Sequence, residues 1–339
     1  MAGTEHAEPS ALESAMADLE GGSHGFAFSS GRAAIACVLE LVNSGAHVIL
    51  SEGLHGGRYR LFEDIRRRSS GLRISYVDPA DGKALDYAFL PEETKMVWVE
   101  SLGSPKAGLA DLEMIAEFAR ARELISVCDN TNATPYLQRP IDRGFTISLH
   151  SSPGYLYGGV LEEGGMTVIA PDQEFMVDKL GFLRASLGAV PTLMDMELAR
   201  RALGSLALRM ERVSDTAERV AAFLSKHSGV NAVFHPGGKD HPNGGLAKRQ
   251  MKRAGGFLSF VIEGDIDRAR SVLAKLKVIK SGAGPFGLVS LIDHPSGDHL
   301  STAPSEIRAG LGFDDGLCRL WIGLEDADDL IDDLGAALA

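Results

Sequence analysis

The stretch Lys95–Thr131, KMVWVESLGSPKAGLADLEMIAEFARARELISVCDNT, decides the fold. KMVWVES and LISVCDN are apolar runs of strand length, and DLEMIAEFARARE between them carries its apolar residues at helical spacing. Two strands joined by such a helix read as a parallel pair with a crossover. The same alternation extends upstream. AHVILS and LRISYVD read as strands around the helix RYRLFEDIRRRSSG. Before them come the helix SALESAMADLEGG, stopped by Gly21-Gly22, the short apolar run FAFSS, and the helix RAAIACVLELVNSG, stopped at Gly45. The pattern predicts an α/β protein with a doubly wound, mostly parallel sheet. Ligands in such sheets sit beyond the carboxyl ends of the strands. That rule makes Ser30-Gly31, Glu100-Ser101 and Asp129-Asn130-Thr131 the candidate site loops.

Downstream the pattern changes. LMDMELARRALGSLALRMERVSDTAERVAAFLSKH is too long for one ordinary helix and is expected to bend near Gly204. NAVFHP, GGFLSFVIEG and GLCRLWIGLE then read as strands, with helices at DRARSVLAKLKV and DADDLIDDLGAAL. The expected organisation is a large domain over residues 1–200, then a bridging helix and a small α+β domain over 201–339. The polar, Gly-rich PGGKDHPNGGLAKRQMKRAGG reads as an exposed loop.

Composition narrows the function. The 339 residues are 45% hydrophobic, enough for a full core and against disorder. Lys+Arg 34 against Asp+Glu 46 gives a net charge of −12, without the basic footprint that nucleic-acid phosphates require. Cys37, Cys128 and Cys318 form no CxxC and no disulfide framework, which fits a reducing compartment. MAGTEHAEPS lacks a signal pattern and no run of about 18 apolar residues occurs, so a cytoplasmic protein without membrane contact is expected.

Several motifs invite stronger readings than their context allows. Gly282–Gly287 matches GxGxxG, but Pro285 and LVSLIDHP do not open a helix, as a dinucleotide fingerprint must. Gly21–Gly25 matches GxSxG in the order helix then strand, the reverse of a nucleophile elbow. Asp293-His294 and Asp298-His299 lack metal-ligand spacing, so no metal is expected and a solvated loop is. The acidic DADDLIDD reads as a solvated helix face with Leu330, Ile331 and Leu334 inward.

Two features combine more tellingly. Ser30-Gly31 opens the helix RAAIACVLELV, whose first amides suit a phosphate. Asp129, at a strand's carboxyl end, is placed to pair with a protonated ring nitrogen or merely to cap a turn. In this order they suggest a cradle for pyridoxal phosphate (PLP).

From these residues outward the chain resembles the Cys/Met-metabolism group of fold-type-I PLP enzymes: cystathionine gamma-synthase, cystathionine gamma-lyase and methionine gamma-lyase. ALESAMADLEGGSHGFAFSSGRAAI resembles the phosphate-binding segment, and HVILSEGLHGGRY the loop that carries a ring-stacking tyrosine. VWVESLGSP, DLEMIAEFA, VCDNTNATPYLQRPIDRG, LGSLALRM, VFHPG, GGFLSF and LCRLWIGLEDADDLIDDL follow in family order. The resemblance implies a PLP-transferase-like fold, with Asp129 as the pyridinium partner. Ser30, Gly31, Arg32, Thr131 and Ser151 become cofactor-binding positions. Arg319 becomes the grip on a substrate carboxylate, with Ser281 near it.

The resemblance also marks departures. The family's Schiff-base lysine lies in His-Ser-x-Thr-Lys-Tyr. The matching residues here are His150-Ser151-Ser152-Pro153-Gly154-Tyr155, so Gly154 stands at the lysine position and Pro153 at the threonine. Lys106 and Lys179 match no catalytic position. His55 replaces the stacking tyrosine. Gly3 and Glu5 stand where an N-terminal arm would offer a neighbouring subunit's phosphate a tyrosine and an arginine, and most of that arm is absent. The expectation is a diverged member acting on a small amino-acid-like or carboxylate ligand in the old cofactor cleft. PLP is held there non-covalently or not at all, and His55, Arg32, Arg58 and Tyr155 supply acid–base or anion-binding groups. The alternatives are a non-catalytic binding or partner subunit, and a conventional carbon–sulfur lyase or gamma-replacement enzyme in which Gly154 is an engineered change. A homodimer is expected, or a tetramer.

Overall fold

Both faces of one sheet are buried, and the strands alternate between them. In the computed structural model, which describes residues 10–53, 56–103, 105–152, 154–298, 300–301, 308 and 312–339, the strands run in chain order. They are β1 (His24–Phe28), β2 (His47–Ser51), β3 (Arg73–Val77), β4 (Thr94–Glu100), β5 (Leu102–Gly103), β6 (Gly108–Leu109) and β7 (Ile125–Asp129). Then come β8 (Ile147–His150), β9 (Gly165–Ile169), β10 (Val230–Phe234), β11 (Phe257–Ile262), β12 (Lys280–Ser281), β13 (Leu291–Asp293) and β14 (Leu317–Trp321). Val48, Leu50, Met96, Trp98 and Val127 pack to one side, where Phe62 meets Trp98 edge-on at 5.3 Å between ring centroids. Ile49, Val97, Val99 and Cys128 pack to the other, under Ile115, Phe118 and Phe145. Strands covered on both faces read in sequence as continuous apolar runs, which is why KMVWVES and LISVCDN stand out.

The chain forms two compact units, one within Met1–Ser101 and Ala110–Gly204, the other within Leu102–Leu109 and Ser205–Ala339. The first unit holds the seven-stranded sheet in the order β1-β9-β8-β7-β4-β2-β3. β8-β7, β7-β4, β4-β2 and β2-β3 pair in parallel, while β9 runs antiparallel to both β1 and β8. The sequence reading overlooked β9, whose GMTVI follows a Gly-rich run. The helix Ala11–Glu20 opens with a capping box between Ser10 and Glu13 and stops at Gly21, in the left-handed conformation at φ 76°. The helix Leu112–Arg120 is capped by Asp111 and buries Leu112, Ile115, Ala116, Phe118 and Ala119. The long helical stretch is two helices, Leu193–Leu203 and Leu206–Leu224, and the break falls at Gly204-Ser205.

The second unit carries the sheet β10-β11-β14-β13-β12, antiparallel except for β12 with β13. Three expectations are corrected here. The segment read as an exposed loop contains the helix Gly244–Gln250, because Leu246, Ala247 and Gln250 share an inward face. Asp293 and His294 are not in a solvated loop. Asp293 ends β13 and is buried against Arg319, and His294 is buried with Nε2 2.6 Å from the Asp315 carbonyl. Asp298 is exposed, and His299 lies outside the described residues. In the helix Ala327–Leu338, Leu330 and Leu334 are buried and Ile331 is half-buried. Asp333 on the same helix is also buried, and it accepts the amides of Lys277, Val278 and Ile279 at 2.8, 2.9 and 3.0 Å. Three backbone donors in one concavity give a carboxylate a place inside that local acidity alone does not reveal.

Candidate active site

Parallel pairing sets the candidate site. Glu100 and Asp129 end neighbouring strands β4 and β7 and are direct register partners. Asp129 in turn pairs in register with Leu149, so β8 delivers His150 and Ser151 alongside. Both carboxylates are buried, Glu100 at 3% and Asp129 at 2% exposure.

Four donors reach Asp129. Its Oδ1 accepts the Thr131 amide at 3.1 Å and a short bond from the Thr131 hydroxyl. Its Oδ2 accepts the Ser151 hydroxyl at 2.8 Å and Arg58 Nη1 at 3.0 Å. The same Nη1 lies 2.5 Å from Glu100 Oε1. Burial works against the charge on Arg58, but Glu100 and Asp129 outweigh it and hold the guanidinium above its ordinary pKa. Cys128, beside Asp129 in sequence, offers no thiolate. Burial foremost, then the Asp129 and Glu20 charges, push its thiol far up.

The helix Gly31–Leu39 arrives on the same edge. Ser30 caps it, accepting the Ala33 amide at 3.1 Å. A Cβ on Gly31 would lie 1.8 Å from the Ser151 carbonyl oxygen, so only glycine lets the helix start rest on the strand exit. Gly165 at the start of β9 makes the same allowance, since a Cβ there would meet the Ser30 carbonyl oxygen at 2.8 Å. The Ser151 amide donates to Thr131 Oγ1 at 2.8 Å. Ser30, Gly31, Asp129, Thr131 and Ser151 therefore form one connected edge, with Arg58 closing it over the carboxylates.

Other predicted site residues fall elsewhere. Arg32 is exposed and pairs with Glu163 at 2.8 Å. Tyr155 and Gly154 are buried in the short helix Gly154–Tyr157 directly after the strand exit. His55, Pro153, Gly3 and Glu5 lie outside the described residues. Arg319 and Ser281 belong to the second unit. Ser281 is exposed on β12, two strands from Arg319 on β14. Arg319 is fully buried, bonded through Nε to Asp293 Oδ1 at 2.8 Å and through a short bond from Nη2 to Oδ2, and its guanidinium stacks on Trp321 at 5.2 Å.

Sequence reasoning missed a buried pair behind the edge. His150 Nε2 lies 2.6 Å from Glu20 Oε1, which also accepts Ser148 Oγ at 2.9 Å and Asn130 Nδ2 at 3.4 Å. Glu20 is completely buried, at the last position of a helix whose apolar spacing gives no hint of it. These bonds fix Asn130, which follows Asp129, and His150, which precedes Ser151.

Known proteins fit this architecture. The sequence profile of the Cys/Met metabolism PLP-dependent enzymes matches residues 5–339. A cystathionine beta-lyase of Coxiella burnetii is 41% identical over 328 residues, covering 97% of this chain and 84% of the relative. A cystathionine gamma-lyase of Bacillus subtilis is 37% identical, covering 97% of this chain and 85% of the relative. Among solved structures, cystathionine gamma-lyase from Lactobacillus plantarum complexed with L-serine superposes with a TM-score of 0.90 at 34% identity, over 96% of this chain and 84% of that one. The chain belongs to the Cys/Met-metabolism family of PLP-dependent enzymes.

Proposed function

We propose that this chain is a diverged transsulfuration-lyase relative that takes a small amino-acid-like or carboxylate ligand in the family's cofactor cleft without a Schiff-base lysine. The observation that carries the reading is Gly154, one helix start beyond the β8 exit, at the position that matches the family's lysine. Glycine has no side chain to form an imine or carry a proton.

The residues that would hold PLP suit its two ends unequally. At the phosphate end, the helix Gly31–Leu39 begins against Ser151, and the first amides of a helix have no partner within it. At the ring end the residues do not suit the cofactor. Asp129 already accepts four protein donors, one of them cationic, and a carboxylate offers about four acceptor positions. PLP is therefore held non-covalently or not at all, and the chemistry falls to the chain's own groups. Arg58 is the cation nearest the carboxylates, and Ser151 and Thr131 hold hydroxyls on Asp129.

The test is spectroscopic. The purified protein with added PLP should show no internal-aldimine band, and borohydride should leave no pyridoxyl group on the chain. A reduced pyridoxyl-lysine found at any residue by mass spectrometry overturns the reading. We further propose a homodimer. In the first unit Phe175, Phe182, Leu187, Leu193 and Met194 are exposed on the helices Glu174–Ser186 and Leu193–Leu203 and around the link between them, large apolar side chains that a partner subunit would cover. A monomeric mass by light scattering at micromolar concentration overturns that assembly.

A further inference from the structure

We propose that Arg58 is the specificity-determining residue of the cleft: it is a built-in counter-cation for Asp129 and turns away ligands that bring a protonated ring nitrogen. The inference rests on the reading above for the location of the cleft, but on a different observation from Gly154.

Arg58 Nη1 stands 3.0 Å from Asp129 Oδ2 and 2.5 Å from Glu100 Oε1, between carboxylates that strand register places side by side. Asp129 Oδ1 is committed to the Thr131 amide and hydroxyl, and Oδ2 is shared by Ser151 and Arg58. A pyridinium N–H therefore finds no unshared acceptor on Asp129. It must expel either a hydroxyl or a guanidinium. Expelling the Ser151 hydroxyl leaves two cations on one oxygen, and expelling the Thr131 hydroxyl leaves them on one carboxylate. Expelling the guanidinium strips Glu100 of this cation in a site where the carboxylate is 3% exposed. Both routes cost affinity. The burden falls on cationic heterocycles and not on neutral or anionic ligands, which make no demand on Asp129. The Arg58 side chain itself is 22% exposed, against 3% for Glu100 and 1% for Asp129.

The experiment measures PLP binding to the full chain by equilibrium dialysis, with Arg58→Ala and the double variant Arg58→Ala/Glu100→Gln alongside. The double variant removes the excess negative charge that could unfold the single one. The expected result is at least tenfold tighter binding in whichever variant retains the wild-type circular dichroism. Equal affinity in a folded variant overturns the proposal. The wild type decides independently of both variants. PLP labelled with nitrogen-15 in the ring should give either no bound signal at millimolar cofactor or an unprotonated ring nitrogen. A protonated pyridinium shift in the wild-type complex overturns the proposal even if neither variant folds. The outcomes separate this inference from the previous one. A pyridoxyl-lysine after borohydride sinks the reading of Gly154, whereas the ring-nitrogen shift speaks only to Arg58.

Discussion

Each unit pairs an arginine with a buried aspartate at the end of a strand, and the two pairs are built differently. In the second unit Arg319 meets Asp293 through two parallel bonds, with Trp321 beneath the guanidinium and no exposure of the arginine. In the first unit a single nitrogen of Arg58 serves both Glu100 and Asp129, and the arginine is 22% exposed. The second unit's pair is bidentate, a planar fork on one carboxylate. In the other, one arginine nitrogen reaches two carboxylates, at the carboxyl ends of parallel strands, where ligands bind in this class of fold. Arginine beside aspartate is built differently in each place, and the bond geometry and the exposure of the arginine distinguish them.

The largest expected effect breaks the bidentate pair. Arg319→Ala leaves Asp293 buried without this partner and should cost about 3–5 kcal/mol of stability in urea denaturation. Arg319→Lys should recover only part, because an ammonium cannot reproduce the planar fork. A midpoint unchanged by the alanine substitution would show that Arg319 braces nothing.

Arg58→Ala should cost less, about 2 kcal/mol, since a partly exposed arginine gains less from its partners than a fully buried one. Its effect should also depend on background. With Glu100→Gln in place the loss should shrink, because one carboxylate then needs no cation. A double-mutant cycle reads that coupling directly. Additivity within about 0.3 kcal/mol would mean that Arg58 and Glu100 do not act as a unit.

The two regions also differ in how far the sequence exposes them. Ser30, Gly31, Asp129 and Thr131 are readable because each ends or follows a strand or opens a helix, whereas Ser151, after the unread strand β8, is readable only through the family resemblance. The Arg58 closure is not readable, although Arg58 and Glu100 both stand out as candidates. Arg58 and Asp129 are 71 residues apart, and no local pattern records that one nitrogen reaches both carboxylates. Gly165 is equally silent in sequence, since its value lies in a backbone approach from the helix at Gly31. In the second unit, Asp293 and Asp333 sit in stretches that read as solvated acid. What buries them is a guanidinium 26 residues on in one case and three backbone amides in the other. Asp333→Asn tests the latter. Loss of the charge that three amides surround should cost about 1 kcal/mol in thermal or urea unfolding. No change would return the acidic helix to the purely solvated face its sequence suggests.

The smallest effect is an acid sensitivity concentrated in the second unit. Burial lowers the pKa of His235 below its ordinary 6.5, against a carbonyl bond from Gly255, and burial likewise lowers that of His241. In the first unit His47 is lowered the same way, by burial and then by Arg73. A histidine whose folded pKa is depressed stays neutral in the native state while the unfolded chain takes up its proton. Its stabilising contribution is therefore complete above about pH 6.5 and is lost as pH falls toward the folded value. Each such histidine should remove under about 1 kcal/mol by pH 6, with a limiting slope of about 1.4 kcal/mol per pH unit. Glu13 enters in a lower window. Burial pushes its carboxyl up, but the amides of Ala27 and Ser10 together with Arg184 hold it below its ordinary 4.5. Its contribution is thus intact through the histidine window and fades only below that value. The wild type should lose stability between pH 7 and 5.5, and His235→Asn/His241→Asn should flatten most of that loss whatever it does to stability at pH 8. A wild-type curve level across this range, or a double variant that keeps the full slope, would mean that these imidazoles are protonated as readily folded as unfolded.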